Sequence, residues 1–179
     1  MKKALRFTRK TLAVLSLLAV VVAASADAAN TLVRFKGGIG VIPVSSAAGT
    51  QNANGTFPDV NRNDVRGVPP GGQPWVIADL RADVKVDGRI RVDGRGLLLG
   101  GGNNIGANGG ASVFATLFCA NDGNAQHSSN LAGVPLEADG DFRIDDVLAP
   151  APPTPCDVPV LLIRTTNGGR WFAAGIPER

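Results

Sequence analysis

The chain has few of the residues that most often carry chemistry. It contains no tyrosine, one histidine, His127, and two cysteines, Cys119 and Cys156. Zinc usually takes four ligands, so a single imidazole supplies too few nitrogen ligands to indicate a transition-metal site. A hydrolytic triad would need His127 beside an activated nucleophile, and no GxSxG motif is present. We therefore predict no cofactor, metal or catalytic residue, and we interpret His127 as part of a polar loop. A hydrolase with a site near His127 is the remaining catalytic alternative.

Long apolar runs are absent except near the start of the chain. Residues 12–24 form an apolar run that is short for a membrane span. A positive head precedes it, formed by Lys2, Lys3, Arg6, Arg9 and Lys10. This layout predicts a secretory signal peptide over residues 1–28, cleaved after Ala26 or Ala28. We expect a secreted or periplasmic protein with no membrane span in its mature form; an uncleaved N-terminal anchor is the alternative.

Neither sign of charge dominates the predicted mature chain. Five of the 18 basic residues and one of the 15 acidic residues lie in the signal peptide, so 13 basic and 14 acidic residues remain. The basic pI of 9.2 is therefore a property of the precursor. Nucleic-acid binding needs a basic patch that displaces counterions from phosphates, so we exclude nucleic acid as a partner.

After residue 28 the sequence shows no amphipathic helical pattern. It shows instead the alternation of apolar and polar side chains that is typical of strands. Residues 75–86 alternate between apolar and polar side chains, which is typical of a strand with one buried face. A two-residue turn at 87–88 would mix apolar and charged residues on each face, and a loop at 87–89 would oppose like charges. A three-residue loop at 86–88 would oppose Asp83 to Arg91 and Arg81 to Asp93. We predict this hairpin, with Gly88 in the left-handed conformation.

Two further hairpins are expected. In the stretch 134–144, a loop at 138–140 repeats the Asp-Gly tip and sets Val134 opposite Ile144. Its acidic group Glu137–Asp146 could hold a cation, although it does not match the EF-hand spacing. The last hairpin turns at Asn167-Gly168 and would place Arg164 opposite Trp171 in cation–π contact, with Ile163 opposite Phe172.

The two cysteines lie on either side of the 134–144 hairpin. In an exported protein they are expected to form one disulfide, Cys119–Cys156, which would stabilise the fold by roughly 4 kcal/mol in the chain-entropy treatment. We predict an all-β domain over residues 29–179: an antiparallel β-sandwich of immunoglobulin-like or transthyretin-like size with about 7–9 strands. A barrel is the alternative. The stretch 112–156, with its cysteine-ended strand, Asp-Gly-x-Phe hairpin and returning cysteine, resembles secreted transthyretin-like and pollen-allergen-like sandwiches.

Two glycine-rich segments interrupt the strand pattern. Residues 45–74 are poor in apolar side chains and contain Pro69-Pro70-Gly71-Gly72, so we predict a long flexible loop there. Residues 100–110 lack the GxGxxG spacing and the Walker lysine of nucleotide-binding loops and are predicted to form a second loop.

The function expected from this composition is that of an exported, non-catalytic binding or structural module at the cell envelope or outside the cell, with an unknown ligand. The alternative is a carbohydrate-binding module. Such modules use aromatic platforms, and Trp75 and Trp171 are the weak candidates for ligand contact.

Overall fold

The computed structural model describes residues 30–43, residue 53 and residues 63–178. The chain divides into two units, residues 1–31 and 32–179. The described residues form eleven strands, listed here in chain order: β1 (Thr31–Gly40), β2 (Trp75–Val76), β3 (Asp79–Lys85), β4 (Arg89–Arg95), β5 (Leu98–Leu99), β6 (Ser112–Phe118), β7 (His127–Ser128), β8 (Val134–Pro135), β9 (Phe142–Val147), β10 (Val160–Thr165) and β11 (Trp171–Pro177). The helical content of these residues is one 3-10 turn, Ala120–Asp122. Within the described ranges no helix is long and apolar enough to cross a membrane.

The predicted all-β antiparallel fold is confirmed. Nine strands form one sheet in the order β7-β6-β10-β11-β1-β3-β4-β9, with β8 also paired to β6, and β2 pairs with β5 apart from it. The path nearly closes on itself, because Ser128 at one end bridges Ala149, which follows the strand at the other end. The nine strands therefore form one nearly closed antiparallel sheet.

The core is built from the alternating faces of the strands. In β3 and β4 the buried residues Leu80, Val84, Ile90 and Val92 alternate with half-buried or exposed charged residues. In β6 the residues from Val113 to Phe118 are all buried. The apolar pattern on both faces of β6 predicts a central strand, and β6 indeed has neighbours on both edges.

The charge argument for the first hairpin is confirmed. Asp83 lies opposite Arg91 and Arg81 opposite Asp93. Gly88 closes the three-residue turn with a φ of +85°, and its N–H donates to Lys85 O at 3.0 Å. Opposite charges on the solvent-exposed face thus select one register from the two that the apolar pattern leaves open.

The second hairpin has the predicted tip but different partners beyond it. Gly140 has a φ of +83° and donates its N–H to Glu137 O at 2.9 Å, as the three-residue loop requires. The predicted pairing of Val134 with Ile144 is wrong, because Val134 pairs with Val113 and Ile144 pairs with Val92. The two arms separate to join opposite ends of the sheet path, which nearly closes it.

The last hairpin contains a bulge that the turn signal does not predict. Arg164 lies opposite Trp171 as expected, but Ile163 lies opposite Ala173, so Phe172 is the extra residue. The cation–π partner is also different: the Arg164 guanidinium lies 5.1 Å from the centre of the Phe114 ring. Phe114 is the residue opposite Arg164 on β6, the other neighbour of β10.

The predicted disulfide Cys119–Cys156 is present, with the two Cα atoms 5.0 Å apart. Cys119 follows β6 directly and is fully buried, and Cys156 comes from the proline-rich segment before β10. Ala120 N donates to Asp157 O at 2.6 Å, so a backbone hydrogen bond joins the same two segments.

Much of the expected loop 45–74 lies outside the described residues, but residues 63–74 can be followed. Val68 is 1% exposed and belongs to the core. Val65 and Val68 exchange backbone hydrogen bonds of 3.0 and 2.9 Å, and Gly71 N donates to Trp171 O at 2.9 Å. The C-terminal part of the predicted flexible loop is therefore held against β11.

Candidate functional site

A cleft of about 720 Å³ opens where three loops meet, and we call it the loop-end cleft. Its walls come from residues 72–75, from the glycine-rich loop after β5, and from the turn between β10 and β11. The polar groups on these walls include Gln73, Asn104, Thr166, Asn167 and Arg170. A volume of this size lies in the range of small-ligand sites.

The floor of the cleft is a pair of stacked aromatic rings. Trp75 and Phe172 have ring centres 4.0 Å apart and planes inclined by 14°. Both are largely covered, at 5% and 7% exposure. Glycines make this coverage possible: a Cβ on Gly109 would lie 3.3 Å from the Trp75 ring, and one on Gly71 would lie 3.0 Å from the Phe172 ring. Trp75 and Phe172 thus both line the cleft while most of their surface is covered.

The glycine-rich loop is held in place by side-chain and backbone contacts. Asn108 Nδ2 donates to Leu136 O at 3.1 Å and to Glu137 O at 2.9 Å. Leu99 and Ala107 are joined by a backbone hydrogen bond of 2.9 Å. These bonds tie the predicted loop to the second hairpin and give one wall of the cleft a defined shape.

The charge of the loop-end cleft comes from one arginine. Arg170 Nη1 donates to Pro70 O at 3.2 Å, and no aspartate or glutamate lines the described walls. The remaining polar lining groups are amides, hydroxyls and backbone. The cleft therefore suits a neutral or anionic polar ligand.

The two predicted contact residues, Trp75 and Trp171, have different positions. Trp75 lies on the floor of the cleft, whereas Trp171 is not among its lining residues. Trp171 is 6% exposed, and its Nε1 has no hydrogen-bond partner in the described part of the chain. Trp171 is thus a core residue whose backbone pairs with residues 69–71.

His127 lies in a buried polar centre beside the disulfide rather than in an exposed loop. Its side chain is 4% exposed. Nδ1 lies 2.9 Å from Pro150 O, and Nε2 lies 2.5 Å from Asp122 Oδ2. A carbonyl can only accept, so Nδ1 carries a proton and donates it. Asp122, in the 3-10 turn, is a partner that the sequence pattern does not single out.

Neither serine beside His127 is placed as a nucleophile for it. Ser128 Oγ shares a hydrogen bond of 2.9 Å with Thr116 Oγ1. Ser129 Oγ accepts from Ala115 N at 3.0 Å. Both ring nitrogens of His127 already have partners, so the ring is not free to accept a proton from either hydroxyl.

The acidic group of the second hairpin is divided among several partners. Asp141 Oδ1 accepts from Gly96 N at 3.0 Å, and Asp146 Oδ2 accepts from Asn130 N at 2.7 Å. Asp145 forms an ion pair of 2.7 Å with Arg91, whose hydrogen bond holds the pKa of that carboxyl below its ordinary value of 3.8. The carboxylates thus serve separate contacts along the strand.

Arg164 is a half-buried cation that the turn signal does not reveal. It donates to Gly169 O and to Gln126 Oε1, both at 2.7 Å. Burial lowers the pKa of this guanidinium, because the charged form loses hydration. These bonds join the last hairpin to the segment before His127, so the side chain connects β10 to β7.

Comparison with protein families, with curated proteins and with solved structures finds no match to this chain.

Proposed function

We propose that the protein is an exported, non-catalytic binding module and that the loop-end cleft is its contact surface. The observation that carries the proposal is the cleft itself: a cavity with an aromatic floor, neutral polar walls and one cation. Three loops form the walls of the cleft, and strand residues form its floor. Binding residues are often placed in this way, on loops that a rigid sheet holds in position. The engagement of both nitrogens of His127 supports a role without catalysis.

Export is the first part of this proposal. The positive head, the apolar run and the small-residue patterns before residue 29 support it, and a structural disulfide is typical of oxidising compartments. Mass spectrometry of the protein recovered from the secreting cell should give an N-terminus at Asp27 or Ala29. A chain that keeps its first 26 residues after export would contradict this part.

A carbohydrate is the second, more specific candidate for the ligand. Sugars bind through hydrogen bonds to amides and hydroxyls and through contact of their apolar faces with indole rings. The neutral walls of the loop-end cleft offer the hydrogen-bonding groups, and Trp75 lines the cleft, although it is only 5% exposed and stacks on Phe172. Trp171 does not support this candidate, because it does not line the cleft.

A fluorescence titration can isolate the Trp75 signal. In a Trp171→Phe variant the remaining indole is Trp75, and the replacement removes an N–H that has no partner. We expect at least one soluble neutral or acidic polysaccharide to change the emission of this variant, and Asn167→Ala to weaken that response. Glu178→Gln lies outside the cleft and is the matched control. No response to any polysaccharide would remove the carbohydrate candidate, and equal weakening in the control would remove the loop-end cleft as the site.

A further inference from the structure

We propose that reduction of the single disulfide creates a zinc site beside the 3-10 turn. Its four ligands are the side chains of Cys119, Asp122, His127 and Cys156. This inference is independent of the proposed binding function, because the site and the loop-end cleft share no residue.

Three donor atoms already converge at this point. One ligand atom from each of Cys119, Asp122 and His127 lies within 4.8 Å of the other two. The fourth donor, the sulfur of Cys156, is bonded to the sulfur of Cys119. Zinc–sulfur distances near 2.3 Å and zinc–nitrogen distances near 2.0 Å place tetrahedral ligands roughly 3.3–3.8 Å apart. Opening the disulfide must therefore separate the two sulfurs, and the sulfur of Cys156, which is not part of the group within 4.8 Å, must move toward Asp122 and His127.

The histidine is oriented as a zinc ligand usually is. Its Nδ1–H donates to Pro150 O at 2.9 Å, which sets the ring orientation and turns Nε2 toward Asp122. Metal-binding histidines characteristically donate their second N–H to a carbonyl or carboxylate in this way. The ring is buried, so bulk water does not compete for Nε2.

The contact between Nε2 and the carboxylate also points to a cation. The two atoms are 2.5 Å apart, and both are ligands that zinc accepts. One zinc ion could therefore bind both atoms after a small separation of the two side chains. In the oxidised protein the sulfurs are held in their mutual bond, and Cys119 offers no thiolate to complete the set.

Contacts other than the disulfide keep the two cysteines near each other. Asn121 Nδ2 donates to Pro155 O at 2.8 Å, and Asp157 N donates to Asn121 Oδ1 at 3.1 Å. Ala120 N and Asp157 O are joined at 2.6 Å. The segments that carry Cys119 and Cys156 thus remain connected by three hydrogen bonds when the disulfide opens.

The reductant of the disulfide can be a dithiol or a phosphine. A dithiol transfers two electrons and two protons to the disulfide, giving two protein thiols and its own disulfide. A phosphine gives the same two thiols by taking the oxygen of one water molecule, whose two protons go to the sulfurs, and becomes a phosphine oxide. Zinc then binds the two thiolates, the carboxylate and the neutral imidazole, and the thiol protons are released. The oxidised form would be free of zinc and the reduced form would hold one ion in a closed four-ligand site.

The test compares the oxidised and phosphine-reduced full chain without oxygen, using zinc in competition with a chromogenic chelator and cobalt as a spectroscopic substitute. We expect the reduced protein to bind one ion, with tetrahedral cobalt bands and a thiolate-to-cobalt charge-transfer band, and the oxidised protein to bind none. His127→Gln and Asp122→Asn should each weaken zinc binding at least about tenfold. Asp139→Asn is the control for Asp122→Asn, because it makes the same change at an exposed carboxylate of the second hairpin and keeps all four donors, so its zinc affinity should stay within about threefold of the parent.

Several results would overturn the proposal. One is the same zinc affinity in the parent and in His127→Gln and Asp122→Asn, since the two thiols alone would then account for binding. Another is a cobalt spectrum without tetrahedral bands. If reduction unfolds the chain, zinc should restore its near-ultraviolet circular dichroism, and failure of zinc to do so would also count against the site.

Discussion

Replacing Gly140 by alanine is expected to destabilise the protein far more than the same change at the equivalent glycine of the first hairpin. Gly140 and Gly88 both end three-residue Asp-Gly turns, with φ values of +83° and +85°. Each accepts a backbone hydrogen bond through its carbonyl, from Leu97 at 2.9 Å and from Leu148 at 2.8 Å. Their backbone conformations are thus matched, and their surroundings differ.

The difference lies in how closely another backbone approaches. A Cβ on Gly140 would lie 2.6 Å from Leu97 N and 2.7 Å from Leu97 O, whereas the nearest atom to a Cβ on Gly88 is Leu148 O at 3.4 Å. Left-handed backbone alone costs a residue with a Cβ about 1–2 kcal/mol, part of which is offset in the unfolded chain. We expect Gly88→Ala to lose about 1 kcal/mol. Gly140→Ala should lose about 2–4 kcal/mol, because overpacking adds roughly 1–3 kcal/mol.

Urea unfolding of the oxidised protein, followed by fluorescence, measures both variants. The urea concentration at the midpoint of unfolding should fall, while the slope of the free energy against urea concentration stays the same. The lower midpoint then measures the loss of free energy of unfolding. Gly168→Ala is a second control, because Gly168 also has a positive φ of +76° but no atom within 4 Å of its Cβ position. If Gly140→Ala is no less stable than the two controls, the close packing of this tip against Leu97 has no energetic consequence and the reasoning is refuted.

The remaining predictions concern stability and titration. Reduction of the disulfide in a buffer with chelator should lower the free energy of unfolding by about 4 kcal/mol, measured in urea, because it releases a closed loop; a loss under 1 kcal/mol would contradict this. Gly94→Ala should cost about 1–3 kcal/mol in the parent and little in a Phe142→Ala background, because an added Cβ would overlap the Phe142 ring; equal costs in both backgrounds would refute the overlap. In carboxyl NMR titrations the pKa of Asp145 should lie below 3.8 and rise toward it in Arg91→Gln. Because the pKa of Asp145 is lower in the folded protein, the stabilisation from this ion pair is present above pH 3.8 and is lost as the pH falls through the folded pKa. Added salt should weaken this stabilisation. If Arg91→Gln leaves the pKa of Asp145 unchanged, Arg91 is not the cause of the shift.

The local patterns of the sequence carry the fold class, one hairpin register and the disulfide. The alternation in residues 79–95 sets which side chains are buried, and charge pairing then selects the register of β3 and β4. Turn chemistry at Asp87-Gly88 and Asp139-Gly140 is equally local, since only glycine adopts these φ values without strain. Two cysteines have one possible pairing within the chain, and the expected export favours their oxidation, so the disulfide could be predicted from the sequence.

Contacts between distant segments decided which strands pair and which aromatic rings meet, and the local patterns do not contain this information. The arms of the second hairpin part because β8 and β9 find partners on β6 and β4, and a turn signal says nothing about such partners. The aromatic floor forms because a bulge at Phe172 meets Trp75 from another part of the chain. Neither position follows from spacing, since both depend on how the sheet closes.

The candidate sites show the same division. From the composition we expect no metal site, because one histidine and two cysteines match no local zinc-binding motif. The tertiary structure brings Asp122 and His127 to the disulfide and thereby assembles four donor groups from three segments. The sequence by itself determined which elements form, because burial and turn geometry act over a few residues. The tertiary structure decided which side chains meet, because that depends on how the strands pair across the closed path of the sheet.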